Sequence, residues 1–118
     1  MKKRNIVKKS RDFERIISNK RPFKNEHFLL FIEDHDDQVY RFGISISKKI
    51  KKAVVRNRIK RQIKNILDEY KKEFKKTFNC IIIVDMNVLK LKYNKIKESL
   101  TKLIKKAKLI EEVDNEKK

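Results

Sequence analysis

An amphipathic helix in the middle of the chain is the feature that most constrains the fold. Apolar residues recur there at spacings of four, four, three, four and four, in the set Val55, Ile59, Ile63, Ile66, Tyr70 and Phe74. This spacing predicts one apolar stripe along about five helical turns. Because tertiary packing stabilises such a helix, other elements of the chain must cover the stripe.

Three segments rich in strand-forming residues can supply that cover. Residues 27–33 and 39–47 flank a polar turn, residues 34–37, and together they predict a β-hairpin. In residues 40–47 apolar side chains alternate with polar ones, so one face belongs to the core and the other is polar. Residues 80–84 are apolar throughout, which is typical of a strand buried on both faces.

Two further helices complete the predicted elements. Ser10 is the expected N-cap of the first helix, which carries Phe13, Ile16 and Ile17 on one face and ends before residues 19–22. The last helix runs from Tyr93 to about Lys108. The order α-β-β-α-β-α predicts an α/β (α+β) two-layer sandwich around a small mixed sheet. We expect residues 1–110 to form a single domain and residues 111–118 a frayed, charged tail.

Gly43 is the only glycine in the sequence and falls within a predicted strand. A glycine there indicates either a β-bulge or the close approach of a partner's backbone. The pattern favours neither of these two interpretations.

Positive charge is concentrated in two regions. The formal net charge is +18, and residues 38–67 contain ten basic residues and no Asp or Glu. Six more basic residues precede the first acid, Asp12; they are Lys2, Lys3, Arg4, Lys8, Lys9 and Arg11. Such segregation creates a potential that attracts a polyanion. Nucleic acid fits better than a membrane surface, since Trp is absent and the apolar stripes are needed for the core.

The basic residues of the central helix lie away from its apolar stripe. Asn57, Lys60, Arg61 and Lys64 cluster opposite Ile59, and Arg56 and Arg58 flank the stripe. Cations near a helix N-terminus oppose the helix dipole, so an external phosphate would relieve an unfavourable arrangement. A plain solvated face is the alternative.

The sequence contains no motif that is typical of catalysis by the protein itself. No Walker loop, dinucleotide fingerprint or zinc spacing occurs, and His27 and His35 belong to no motif. Cys80 lies in an apolar run and is expected to be an inert, buried thiol. The acids of residues 34–37 fit a solvated turn better than a divalent-ion site. The apolar runs are too short to cross a bilayer, and we expect a soluble cytoplasmic protein.

Residues 42–65, FGISISKKIKKAVVRNRIKRQIKN, closely resemble the signature of the bacterial ribonuclease P protein subunit. That signature is a strand ending S-V-S-K-K followed by a helix with R-N-R-x-K-R. A K-K-x-x-D-F block at residues 8–13 and an I-I-I-V strand at residues 81–84 agree in placement. The resemblance implies a basic protein that binds a catalytic RNA and helps it remove the 5′ leader of precursor tRNA. It also implies a left-handed β-α-β crossover, an exception to the usual hand.

The resemblance implies two binding surfaces and no catalytic residue or metal ligand in the protein. The surface for the catalytic RNA comprises Arg56, Asn57, Arg58, Lys60, Arg61 and Lys64. The surface for the single-stranded leader comprises Phe13, Ile17, Phe31, Arg41, Ser45, Ser47 and Lys48, although Phe13 and Phe31 would also suit a core. Ile17 and Ile110 stand where relatives often have aromatics. Mg²⁺ would be used by the RNA subunit, and no cofactor, membrane or small-molecule substrate is implied for the protein.

Two other function classes remain as alternatives. A ribosomal or general structural RNA-binding protein could use the same basic helix without a processing role. A DNA-binding regulator would require a recognition helix after a tight turn, and the sequence contains no such pair of helices.

Overall fold

The computed structural model describes residues 1–18, 21–75 and 77–110. Its helices are α1 (Ser10–Ser18), α2 (Ala53–Glu69) and α3 (Tyr93–Lys106), and its strands are β1 (Phe23–Lys24), β2 (Phe28–Asp34), β3 (Arg41–Ile46) and β4 (Phe78–Val84). Short 3-10 helices span Lys3–Asn5 and Met86–Lys90. The predicted order omitted β1, because a strand of two residues leaves no periodic pattern in the sequence.

The four strands form one mixed sheet in the order β1-β2-β4-β3. Strand β4 pairs antiparallel with β2 and parallel with β3. The predicted hairpin of β2 and β3 is therefore wrong, since β4 lies between them. The physical reason is burial: nearly every residue of β4 is buried, and such a strand needs neighbours on both sides.

Helix α2 connects β3 to its parallel neighbour β4. This is the β-α-β unit for which the family resemblance implies a left-handed crossover. The parallel pairing of the two strands agrees with such a unit, while its hand stays a prediction.

Helices cover both faces of the sheet. The larger hydrophobic cluster includes Leu30 and Ile82 of the sheet together with residues of α2 and α3. The smaller cluster joins Val7 and Ile16 to Phe31 and Ile81. Because successive residues of a strand point to opposite faces, α1 lies on one face and α2 and α3 on the other. The mixed α+β sandwich is confirmed, with helices on two faces rather than the single helical layer of a two-layer arrangement.

Helix α2 is shorter than its apolar stripe. The helix ends at Glu69, and a turn follows at residues 70–73. Phe74 nevertheless reaches the same core, where its ring centroid lies 4.9 Å from that of Tyr40 and 5.1 Å from that of Phe42. The apolar spacing therefore predicts the burial of Phe74 correctly, although the helix ends before that residue.

The ends of α1 and α3 differ slightly from prediction. The carbonyl of Lys9 accepts hydrogen bonds from the N–H groups of Asp12 and Phe13, so Lys9 takes the N-cap position that the sequence assigned to Ser10. Helix α3 ends at Lys106 instead of Lys108. The predicted tail, residues 111–118, lies outside the described residues. No helix in the described ranges is long and apolar enough to cross a membrane.

Candidate nucleic-acid interface

The first half of α2 presents an exposed basic surface. Asn57, Arg58, Lys60 and Arg61 are exposed and Lys64 is half-buried, whereas Ile59 and Ile63 on the opposite side are fully buried in the core. None of the four cations in this set, Arg58, Lys60, Arg61 and Lys64, forms an ion pair with another described residue. Their positive charge is therefore available to an external anion.

The N-terminus of α2 adds free backbone donors to that surface. The N-cap residue Lys52 makes no side-chain capping bond, and the first turn contains no acidic residue. The first N–H groups of the helix therefore receive no capping bond from the N-cap side chain. An anion at this end would interact favourably with both these donors and the helix dipole.

Arg56 is placed differently from its neighbours. One guanidinium nitrogen donates hydrogen bonds to the carbonyls of Ser47 and Ile50, at 3.3 and 3.2 Å. The hydroxyl of Ser47 accepts from the N–H of Lys49 at 3.2 Å. Arg56 and Ser47 thus stabilise the loop from β3 to α2, while Lys48 in that loop is exposed. The predicted RNA contacts of Arg56 would use its remaining donors.

Phe13 of α1 lies directly over Gly43 of β3. A Cβ atom on Gly43 would stand 2.6 Å from Cζ of Phe13 and 2.7 Å from Cδ1 of Ile81. Gly43 pairs regularly with Ile81, so the predicted bulge is absent at this position. The close approach comes from a side chain of the same chain, so the prediction of a partner's backbone is also wrong. The missing side chain lets α1 pack close to the sheet.

The three apolar residues predicted to bind the leader all belong to the contact between α1 and the sheet. Phe31 is buried in the smaller cluster, and Phe13 and Ile17 are partly buried against it. Phe31 therefore serves mainly as core, as the sequence allowed. The accessible parts of this region are the exposed portions of Phe13 and Ile17.

Next to this contact the same face of the sheet is partly open. Leu29, Ile83 and Ser45 lie side by side across β2, β4 and β3, and all three are half-buried. Ser45 is predicted from the sequence, whereas Leu29 and Ile83 are not. Alternation along β2 could have indicated Leu29, whereas the uniformly apolar β4 gives no alternation that would separate its faces. The open face combines apolar surface with one hydroxyl.

Arg41 lies at the other end of β3. Its Nη1 atom lies 3.4 Å from Oδ1 of Asn79 and 3.6 Å from Oδ2 of Asp37. Ser45 lies four residues further along the extended strand than Arg41, about 13 Å away. The structure therefore groups Ser45, Ser47 and Lys48 at one end of the strand and places Arg41 in a separate polar network.

That network joins α1 to three strands. Arg15 donates from Nε and Nη2 to the two carboxylate oxygens of Glu33, each at 2.8 Å, and from Nη1 to Asp12 at 2.8 Å. Asn79 donates to Glu33 at 2.9 Å. The hydrogen bond from Arg15 lowers the pKa of Glu33 to about 2, against a smaller opposing effect of burial. This network could not be predicted from the sequence, because its members are far apart in the chain.

The remaining candidate groups are Cys80, His27 and the acidic side chains. Burial raises the pKa of the Cys80 thiol, as expected for an inert cysteine. His27 contacts the hydroxyl of Ser99 through Nδ1 at 2.9 Å. Among the described residues, no group of three or more His, Cys, Asp or Glu side chains is arranged to hold a metal ion. What the molecule presents is a set of basic surfaces.

Comparison with known proteins identifies the family. The family model described as ribonuclease P matches residues 1–108. A ribonuclease P protein component of Mycoplasma mycoides is 43% identical over 109 residues, which cover 92% of this chain and 100% of that protein. A corresponding protein of a Geobacillus species is 36% identical over 91% of this chain and 93% of its own length.

Solved structures agree with the sequence relatives. The RNase P protein of Staphylococcus aureus superposes with a TM-score of 0.79 at 30% identity, covering 91% of this chain and 98% of that one. The RNase P protein of Thermotoga maritima gives a TM-score of 0.77 at 25% identity, covering 85% and 94%. The match therefore extends over almost the whole fold. This chain belongs to the bacterial ribonuclease P protein family.

Proposed function

We propose that this chain is the protein subunit of ribonuclease P and acts in the maturation of tRNA 5′ ends. It binds the catalytic RNA and the single-stranded 5′ leader of precursor tRNA, and so promotes endonucleolytic removal of the leader. The observation that carries this proposal is the set of exposed cations on α2, with no ion-pair partner among the described residues, in a chain that belongs to this family.

The first half of α2 is the proposed contact with the catalytic RNA. Arg58 and Arg61 present planar guanidinium groups that can donate two hydrogen bonds to one phosphate, while Lys60 and Lys64 add charge. Asn57 can donate to and accept from a ribose 2′-hydroxyl. Free N–H groups at the helix N-terminus offer further phosphate donors beside Arg56.

The open face beside α1 is the proposed contact with the leader. Its apolar residues Leu29, Ile83 and Ile17 suit unstacked bases, and the exposed part of Phe13 offers a ring for stacking. Ser45, Ser47 and Lys48 border this face at the carboxyl end of β3, where hydroxyls and an ammonium can meet sugar and phosphate groups. Arg41 contributes from the far end of the strand.

The division of labour between RNA and protein follows from these surfaces. Phosphodiester hydrolysis and the Mg²⁺ ions that assist it belong to the RNA subunit in this proposal. The protein's own residues bind two RNA segments, and thereby orient the leader relative to the catalytic RNA. A membrane or a small-molecule substrate has no part in this proposal, and the expected location is the cytoplasm.

Reconstitution tests the proposal. The protein is mixed with its cognate catalytic RNA and a precursor tRNA at low Mg²⁺, and 5′ cleavage is measured. We expect the wild-type protein to accelerate cleavage and the double variant Arg58→Ala, Arg61→Ala to do so poorly. Lys105→Ala, Lys106→Ala is the matched control, since it removes two exposed charges from α3. Binding without acceleration would instead indicate a general RNA-binding protein.

A further inference from the structure

The N-terminal arm, residues 2–9, is held in place along the free edge of β3. The N–H of Val7 donates to the carbonyl of Phe42 at 2.9 Å, and Ile6 forms a parallel bridge with Phe42. Asn5, which is buried, donates from Nδ2 to the carbonyl of Tyr40 at 2.7 Å. These contacts hold the backbone of the arm against β3, and so fix the positions from which its basic side chains extend.

The arm borders a cleft of about 630 Å³ between itself, α1 and the amino end of β3. Four exposed cations of the arm line this cleft, namely Lys3, Arg4, Lys8 and Lys9. None of them forms an ion pair with a described residue. Arg41 and Asn79 line the same cleft from the sheet.

Most acidic side chains in the cleft already face a cation. Glu33 and Asp12 both accept hydrogen bonds from Arg15. Asp37 lies 3.6 Å from Arg41. Asp34 is the remaining carboxylate of the lining, against four lining cations of the arm. The cleft therefore offers a net positive charge to a ligand.

The cleft shares Arg41 with the proposed leader surface and is otherwise separate from both proposed RNA surfaces. Helix α2 packs on the opposite face of the sheet. The open face around Ser45 and Ile83 lies beyond Phe13, which fills the space over Gly43 between the two regions. A ligand in the cleft would therefore contact neither the exposed cations of α2 nor the residues around Ser45.

We propose that the N-terminal arm and this cleft form a third contact, which binds the phosphate backbone of RNA. This inference rests on the proposed function for the identity of the RNA. A phosphate chain is the occupant that fits, because flexible lysines supply charge without base selectivity and are spread along an extended segment. The backbone can come from the catalytic RNA or from the distal part of the leader.

The salt dependence of binding tests this contact. Each phosphate neutralised by a cation adds roughly 0.7 to 0.9 to the slope of log affinity against log salt. The variant Lys3→Ala, Lys8→Ala, Lys9→Ala should lower the magnitude of that slope by about 2 to 3. The control Lys90→Ala, Lys105→Ala, Lys106→Ala removes the same charge from exposed sites elsewhere and should leave the slope unchanged.

Binding to three RNA ligands shows which RNA supplies the phosphate backbone. The ligands are the catalytic RNA alone, a precursor with a long leader and a precursor with a truncated leader. A smaller slope with catalytic RNA alone assigns the contact to that RNA. A smaller slope only for the assembled enzyme with a long-leader precursor, and not with a truncated leader, assigns it to the leader. A slope equal to wild type with every ligand, or an equal reduction in the control, overturns the third contact.

Further measurements show whether each variant is folded, and whether the proposed function or only the third contact fails. Replacing the same three lysines with arginine keeps the charge and should preserve the wild-type slope, and thermal unfolding checks that each variant is folded. If the wild-type protein fails to accelerate 5′ cleavage, the proposed function fails. If wild type accelerates cleavage but the arm variant matches the control, only the third contact fails.

Discussion

The ring of Phe13 fits against Gly43, in the space that a side chain on residue 43 would fill. A Cβ atom on residue 43 would lie only 2.6 Å from Cζ of Phe13. This fit sets how closely α1 approaches the sheet. It therefore also shapes the open face beside α1, where we propose that the leader binds.

Gly43→Ala should lower the free energy of unfolding by about 1–3 kcal/mol, because the added methyl group overpacks the contact with Phe13 and Ile81. Urea denaturation measures the change. Ser45→Ala, two residues along the same face, is the control and should stay within about 0.5 kcal/mol of wild type. Equal stability of Gly43→Ala and wild type would show that α1 can shift without cost.

Ile17→Tyr should strengthen leader binding. Ile17 is half-buried and packs against the same small cluster as Leu29 and Ile83 of the open face, so an aromatic ring there could stack on a base, worth about 1–3 kcal/mol. The measurement is the affinity of the reconstituted enzyme for precursor relative to mature tRNA. The same substitution at exposed Val54 on α2 is the control and should leave this ratio unchanged. A ratio unaffected by Ile17→Tyr would place the leader elsewhere.

Arg58→Ala and Arg61→Ala should each weaken binding of the catalytic RNA by roughly 10- to 100-fold, as expected for loss of a charged hydrogen bond worth about 1.5–3 kcal/mol. Each should also lower the salt slope by about 1. Filter binding at several salt concentrations measures both quantities. Lys75→Ala, an exposed cation outside the helix, should change neither. Equal losses in all three variants would indicate a purely non-specific charge effect.

Glu33→Gln should destabilise the protein at neutral pH and lose this effect in acid. The pKa of Glu33 is lowered from 4.5 to about 2 in the folded state, so its ion pair stabilises the fold above pH 4.5. As pH falls from 4.5 towards 2, protonation removes that contribution and the variant approaches wild type. Denaturation at a series of pH values measures the difference, with Glu98→Gln in an exposed pair on α3 as control. A constant difference across this range would exclude the ion pair as its cause.

The helices and the buried strand could be predicted because periodicity records burial. The stripe of α2 and the apolar run of β4 both lie in the core where the pattern places them. The order of strands could not be predicted in this way. Leu30 pairs with Ile82, and such a neighbour far along the chain leaves no trace in the local pattern of either strand.

The candidate site, too, could be predicted only where its residues lie close together in the sequence. The cations of α2 are recognisable from a contiguous signature, and Arg58, Lys60 and Arg61 are exposed as expected. The partners of Arg15 and Arg41 come from other elements and are visible only in the folded chain. The sequence marks Gly43 as unusual, but the reason for a glycine there, the ring of Phe13, also lies across a tertiary contact.

The most direct test of the central claim compares the affinity of the catalytic RNA, with and without this protein, for a precursor tRNA and for the same tRNA lacking its leader. We expect the protein to tighten binding of the precursor by about tenfold or more, equivalent to about 1.4 kcal/mol, and to leave mature tRNA nearly unaffected. Equal tightening of both RNAs, or of neither, would contradict a protein that binds catalytic RNA and leader together.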